Sequence, residues 1–263
     1  IVLPAIDGLP LFVLALAPVL ILCGALQTVP RYAPLSFNFI IGTLSPNIIS
    51  ERFEPAFADE LAVIMEWAFD YLQRDGEKEP DPRTWLRDGS GGSVYLRLTT
   101  NPLEQPGKRI SDAFRQGTID GAYWLREPGP NCEVVIAYQG AVAAEAIAAA
   151  GQLADLRRDV GVLAVTSADR LNAGWTAAQR ARAHGASSAT CHAEALLGGL
   201  PRDCLIVTAA DAHPATLAWL GSVAGHRTVS HGVEHFGQTG TIGDLYRHFG
   251  IDREVILQSA SAL

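Results

Sequence analysis

Three short runs of nearly unbroken apolar residues constrain what the second half of this chain can become. They are Glu133 to Tyr138, Val160 to Val165 and Leu205 to Thr208. A strand with one wet face alternates apolar and polar residues, whereas these runs are apolar almost throughout, as strands covered on both faces are. Between them lie helix-forming segments: the alanine-rich Ala141 to Leu156, Thr176 to His184, and Ala215 to Val223 behind His213-Pro214. Strand and helix in alternation predict an α/β fold with a mostly parallel sheet flanked by helices. Right-handed crossovers then gather the strand ends and their loops on one edge of the sheet.

The last such loop is the richest in functional side chains. Gly232-Val-Glu-His-Phe-Gly-Gln-Thr-Gly240 precedes an amphipathic segment, Thr241 to Gly250. Glu234, His235, Gln238 and Thr239 are therefore the candidate functional residues, because loops at strand ends carry ligands in open α/β sheets. His231-Gly-Val-Glu-His235 also matches a zinc pattern, H-x-x-E-H. That chemistry needs both histidines on one helical face, and the glycines of this stretch favour a loop. Cys191-His192 sits among small residues with no base or orienting carboxylate placed beside it, which argues against a thiol nucleophile. His213 and His226 read as loop or capping residues. Asp244, Arg247 and His248 read as the solvated face of the last amphipathic helix, opposite Ile242, Leu245 and Phe249.

Composition excludes several classes. The 263 residues carry a net charge of −8 with no basic run, so no nucleic-acid partner is expected. Cys23, Cys132, Cys191 and Cys204 form no Cys-x-x-Cys pair, which argues against zinc knuckles and redox motifs and for a reduced, cytoplasmic chain. Cys132 and Cys204 each open an apolar run, as small buried hydrophobes do.

Upstream, Phe53-Glu-Pro55 is expected to open a helix whose apolar face is Phe57, Leu61, Ile64, Met65, Ala68 and Leu72. Trp67, Phe69 and Tyr71 widen that face. Gly76 to Gly92 reads as a surface loop, and Ser93 to Thr99 alternates as a strand does. Arg126-Glu-Pro-Gly-Pro130 is a stiff hinge and the best domain boundary in the chain. The first fifty residues fit poorly with the rest. Gly8 to Leu26 is long and apolar enough for a membrane span but carries Pro10 and Pro18, and Leu26 to Ser50 keeps neither period 2 nor period 3.6. A membrane anchor, a buried piece of a larger fold and residues outside the natural frame all compete. The last is favoured, so residues 1–50 stay unassigned and a membrane role is not expected.

Taken together, Phe53-Glu-Pro-Ala-Phe-Ala-Asp-Glu-Leu-Ala-Val-Ile-Met65, Val94-Tyr-Leu-Arg-Leu-Thr-Thr100, Asp120-Gly-Ala-Tyr123 and Gly232-Val-Glu-His-Phe-Gly237 carry a family resemblance. The chain resembles the transketolase-like, thiamine-diphosphate-dependent 2-oxoacid dehydrogenases, and most of all the homodimeric, decarboxylating component of pyruvate dehydrogenase. The resemblance runs from Glu51 to about Ile256. It implies that residues 51–126 are the closing part of a pyrimidine-binding domain and 127–263 a C-terminal domain.

The resemblance further implies thiamine diphosphate and magnesium as cofactors of the complete enzyme and a homodimer as the assembly. It implies a lipoyl-bearing acyltransferase as partner. The family's diphosphate domain, its Gly-Asp-Gly…Asn metal signature and its activating glutamate have no counterpart in this sequence, so neither cofactor is expected to bind this chain alone and no catalytic residue is assigned. The expectation is a fragment of an oxidoreductase, inactive alone. The alternatives are a non-catalytic dimerisation or docking module of the same fold, and a membrane-anchored protein using residues 8–26.

Overall fold

The computed structural model describes residues 50–74, 91–99, 102–107, 110–156, 158–235 and 237–261. By its contacts the chain divides into two units, and the described residues among 50–234 and 240–261 fall in the larger. The reading of residues 1–49, Gly8 to Leu26 included, lies outside the described residues. Among those that are described, no helix is long and apolar enough to cross a membrane.

The larger unit opens with strand β1 (Ser50–Phe53), helix α1 (Ala58–Leu72) and strand β2 (Ser93–Leu96). β1 and β2 pair in parallel, Ser50 beside Ser93 and Phe53 beside Leu96. Phe53 therefore ends a strand and does not begin a helix. The helix starts only after Pro55, where the Glu60 carboxylate accepts from the backbone N–H groups of Ala56 (2.6 Å) and Phe57 (2.9 Å). Those bonds satisfy donors that a helix start leaves open. α1 buries Val63, Ile64, Ala68 and Tyr71, while Phe69 and Leu72 face outward. The expected apolar face is thus rotated toward Tyr71, whose ring stacks on Trp67 at 4.6 Å.

Helix α2 (Asp112–Asp120) begins on Ser111, whose hydroxyl accepts from the Phe114 N–H at 3.2 Å. Then comes the main sheet: β3 (Ala122–Arg126), β4 (Val134–Gln139), β5 (Val160–Val165), β6 (Leu205–Ala210) and β7 (Thr228–His231). Their order across the sheet is β3-β5-β4-β6-β7, parallel except that β3 runs antiparallel to β5. The fold is α/β, as the apolar runs require, and the central strands are buried along their whole length. Strand Ala122–Arg126 lies before the Arg126–Pro130 hinge yet is an edge of this sheet.

Side-chain alternation sorts the core into two layers. Val134, Ile136 and Tyr138 pack with α3 (Ala143–Asp155) and with Ile256 and Ala260 of the last helix, α9 (Arg253–Ser261). Val135 and Ala137 pack on the other face. There they meet Leu171 of α4 (Ala168–Ala183), Leu197 of α5 (His192–Leu197), Leu217 of α6 (Ala215–Ala218) and Leu220 of α7 (Leu220–Ala224). Crossovers leaving β4 in one direction and β5 in the other must use opposite faces, which is what the helices do. α8 (Ile242–Phe249) matches the amphipathic segment expected there.

Two further elements depart from the sequence reading. α4 begins eight residues before Thr176, because Ser167 caps it through a 3.3 Å bond from the Arg170 N–H. Arg170 and Asn172 hide its apolar period, since the arginine is itself buried. β7 is short and only partly buried, so it leaves no apolar run to read.

Candidate functional site at the switch point of the sheet

In a doubly wound sheet the loops diverge where the strand order reverses, and the crevice left there is the usual ligand position. Here the reversal lies between β4 and β6, at Gln139-Gly140 and Ala210-Asp211. Gly140 has φ 61°, in the left-handed region, and a Cβ there would stand 3.3 Å from Glu54 Oε2. Glycine lets the backbone turn into α3 while the carboxylate lies against it.

The crevice is closed by the chain itself. The Glu54 N–H donates to the Thr166 carbonyl at 2.8 Å, which ties the segment after β1 to the end of β5. Arg97, just past β2, pairs with Glu54 Oε2 at 3.1 Å and Asp211 Oδ2 at 3.0 Å, and also donates to the Asp211 carbonyl at 2.6 Å. Burial pushes the Glu54 carboxyl above its ordinary value, against the opposing pull of the Arg97 guanidinium. Burial also acts to lower Arg97, but Glu54 and Asp211 outweigh it and the guanidinium ends higher. Tyr246 of α8 reaches the Ala141 carbonyl at 3.4 Å, and burial pushes its phenol up to about 12. Below this lock, Gln139 Oε1 and Thr208 Oγ1 are buried without a hydrogen-bond partner among the described residues.

A buried ion pair runs beside it. Arg170 Nη1 lies 3.0 Å from Glu51 Oε2, its Nε donates to the Ile119 carbonyl at 2.8 Å, and its guanidinium covers the Trp67 ring at 4.9 Å. Tyr71 adds a long bond to Glu51 at 3.5 Å. A recess of about 520 Å³ opens outside, lined by Glu66, Trp67, Asp70, Arg115, Asp120 and Arg170 among others. Chemically, the switch-point cluster is a saturated lock. Its one guanidinium is satisfied by two carboxylates and a carbonyl, and it presents no free nucleophile.

The residues proposed from sequence lie elsewhere. Glu234 follows β7 on the sheet's outer edge, and Glu234, His235, Gln238 and Thr239 are all exposed. His235, Gln238 and Thr239 fall in the smaller unit, and Glu234 in the larger. His231 ends a strand, and its Nε2 meets the Ser259 hydroxyl at 2.9 Å, which is not the helical geometry of a zinc motif. Among the described residues no three His, Cys, Asp or Glu side chains are grouped to hold a metal. Cys191 stands at the N-terminal boundary of α5 without a side-chain capping bond, burial raises its thiol, and His192 Nε2 lies 2.7 Å from the Ala122 carbonyl. His213 Nδ1 accepts from the Ala215 N–H at 3.2 Å, a cap as expected, while His226 is buried with Nε2 3.4 Å from the Leu197 carbonyl. Glu54, Arg97 and Asp211 were not legible as a site. Arg97 looks like the wet face of a strand, and Asp211 becomes notable only once β6 is known to end at Ala210.

With the geometry in place, relatives can be compared. Residues 121–252, half of the chain, match the transketolase-like TK C-terminal domain. The chain belongs to that family. The fold is similar to a transketolase variant from Pichia stipitis, with a TM-score of 0.56 and 16% identity over 88% of this chain and 27% of that one. A second Pichia stipitis variant, in complex with fructose 6-phosphate, gives 0.55 and 17% over 84% and 26%. Transketolase from Leishmania mexicana gives 0.51 and 19% over 80% and 24%. At such identities the likeness is one of fold, and the chain spans about a quarter of the length of these transketolases. No curated protein matches the sequence.

His231 supplies a test of the transketolase-like sheet edge. Burial holds its imidazole below the ordinary value, with Asp252 opposing. The unfolded chain therefore takes up this proton first as pH falls, and stability present above about pH 6.5 is lost on acidification. Urea midpoints are expected to fall below that pH, and His231→Gln should flatten that part of the profile. Parallel profiles for the two proteins would remove His231 from the account.

Proposed function

We propose that the chain is part of a thiamine-diphosphate-dependent 2-oxoacid dehydrogenase of the pyruvate dehydrogenase type, and that it supports the assembly instead of holding the cofactor. Residues 51–126 act as the closing part of the pyrimidine-binding domain, its last strand β3 pairing into the sheet of residues 127–263, which act as the C-terminal domain, in a cytoplasmic homodimer. The observation that carries the supporting role is the closed switch point. Where an open α/β sheet would admit a ligand, Glu54 and Arg97 lock against Asp211 and Gly140. The crevice thus acts as a joint between the two parts of the chain. The exposed Glu234, His235, Gln238 and Thr239 are then free for a partner, the lipoyl-bearing acyltransferase.

In such an enzyme thiamine diphosphate, with magnesium, supplies the electron sink for decarboxylation. The described residues do not fit that group. No metal-binding cluster forms among them, and the switch-point carboxylates are already matched by Arg97. No chemical step is therefore derived through the cofactor. The alternative of a dimerisation module in a transketolase proper shares this architecture and differs in partner and substrate.

The test has two arms. Purified chain mixed with thiamine diphosphate, magnesium and pyruvate is expected to release no carbon dioxide, and measurable release would overturn the supporting role. On gel filtration the chain is expected to co-elute with a lipoyl-bearing acyltransferase. A homodimer that fails to co-elute would remove the dehydrogenase assignment and leave the transketolase-like module.

A further inference from the structure

Cys132 and Cys204 are 72 residues apart in sequence, yet their sulfurs lie 3.8 Å apart. Topology brings them together. Cys204 immediately precedes β6 and Cys132 lies two residues before β4, the two central parallel strands, where Val134 of β4 stands beside Leu205 of β6. Both side chains join the same core layer and are almost wholly buried. They are not deep, however. Cys132 closes the turn from Gly129 and Cys204 the turn from Pro201, and Asn131, Glu133, Arg202 and Asp203 around them are exposed. Opening one short turn would admit a small oxidant, with no need to unfold the sheet.

We propose that this pair is a peroxide-sensitive site that closes to a disulfide joining the starts of β4 and β6. The sulfurs need to approach by about 1.8 Å to reach the roughly 2.05 Å of an S–S bond. The Cys132 sulfur is the attacking one. The hydrogen bond from Cys204 holds the Cys132 thiol below its ordinary value despite burial, and the same bond, with burial, pushes Cys204 up. Cys132 sulfur attacks one oxygen of hydrogen peroxide, the O–O bond breaks, and the product is a sulfenic acid plus water. Cys204 sulfur then attacks the sulfenic sulfur, the S–O bond breaks, and hydroxide leaves with the Cys204 proton as a second water. Two thiols are oxidised by two electrons, and one peroxide is reduced to two waters. The bond closes the edge of the sheet opposite the switch point, so it tightens the central strands without touching the Glu54–Arg97–Asp211 lock.

The experiment treats a variant of the full chain carrying both Cys23→Ser and Cys191→Ser, which leaves Cys132 and Cys204 as its two thiols, with hydrogen peroxide and reads its intact mass and its peptides. A loss of two hydrogens is expected, together with a Cys132–Cys204 cross-linked peptide, both reversed by dithiothreitol. Cys204→Ala in the same background is expected to abolish that loss. Gain of oxygen on either cysteine without a cross-link would overturn the proposal. So would two thiols still alkylated after peroxide treatment and unfolding, or a two-hydrogen loss that persists in Cys204→Ala.

Discussion

Replacing Arg170 by alanine is expected to destabilise the chain by about 3–5 kcal/mol, the usual cost of stripping one partner from a buried ion pair. Arg170 and Glu51 are 6% and 3% exposed, so water cannot substitute for the missing guanidinium. The variant also takes the donor from the Ile119 carbonyl and the cation from the face of Trp67. A whole domain is stable by only about 5–15 kcal/mol, so this one change removes a large share. The pair itself is a different matter. Replacing both members with apolar groups of similar volume is often neutral, because desolvation offsets most of the attraction. Arg170→Met combined with Glu51→Leu is therefore expected to recover most of the loss. Urea unfolding of the single and double variants measures both quantities. A single-variant loss under about 1 kcal/mol would mean the pair is wetted like an exposed one.

The position of Arg170 explains why the sequence was only half legible. The sheet could be read because its strands carry their signal locally: Val160 to Val165 is apolar on both faces, and both faces are covered. The site could not, because its members come from three separated places. Glu54 follows β1, Arg97 follows β2 and Asp211 follows β6. Each alone looks like an ordinary surface charge, and only the strand order puts them together. The same holds for Cys132 and Cys204, which have no short spacing and meet through parallel pairing. The Glu234–Thr239 loop drew attention through its composition, a local property. Local composition finds exposed loops more readily than it finds closed joints. Arg170 even concealed the start of α4, since a buried arginine interrupts the apolar period from which a helix is read.

Gly121→Ala is expected to be strongly destabilising. Gly121 ends α2 with φ 107°, its N–H bonded to the Gly117 carbonyl at 3.0 Å. Its own carbonyl accepts from the Thr166 and Ser167 N–H groups at 2.9 and 3.1 Å, which fastens the α2–β3 corner to the end of β5. A Cβ built there would stand 2.5 Å from the Ser167 carbonyl oxygen and 3.1 Å from the Leu171 backbone nitrogen. Backbone atoms held on both sides cannot give way as a flexible side-chain tip does. Two costs therefore combine, the left-handed backbone at about 1–2 kcal/mol and the forced shift of a packed turn at about 1–3 kcal/mol. Gly185 separates them. It also has positive φ, at 95°, but nothing stands within 4 Å of its would-be Cβ. Gly185→Ala is expected to carry only the first cost, so the difference between the two variants in urea unfolding measures the contact alone. Equal losses would mean that the corner relaxes freely and that Gly121 does not hold β3 against β5.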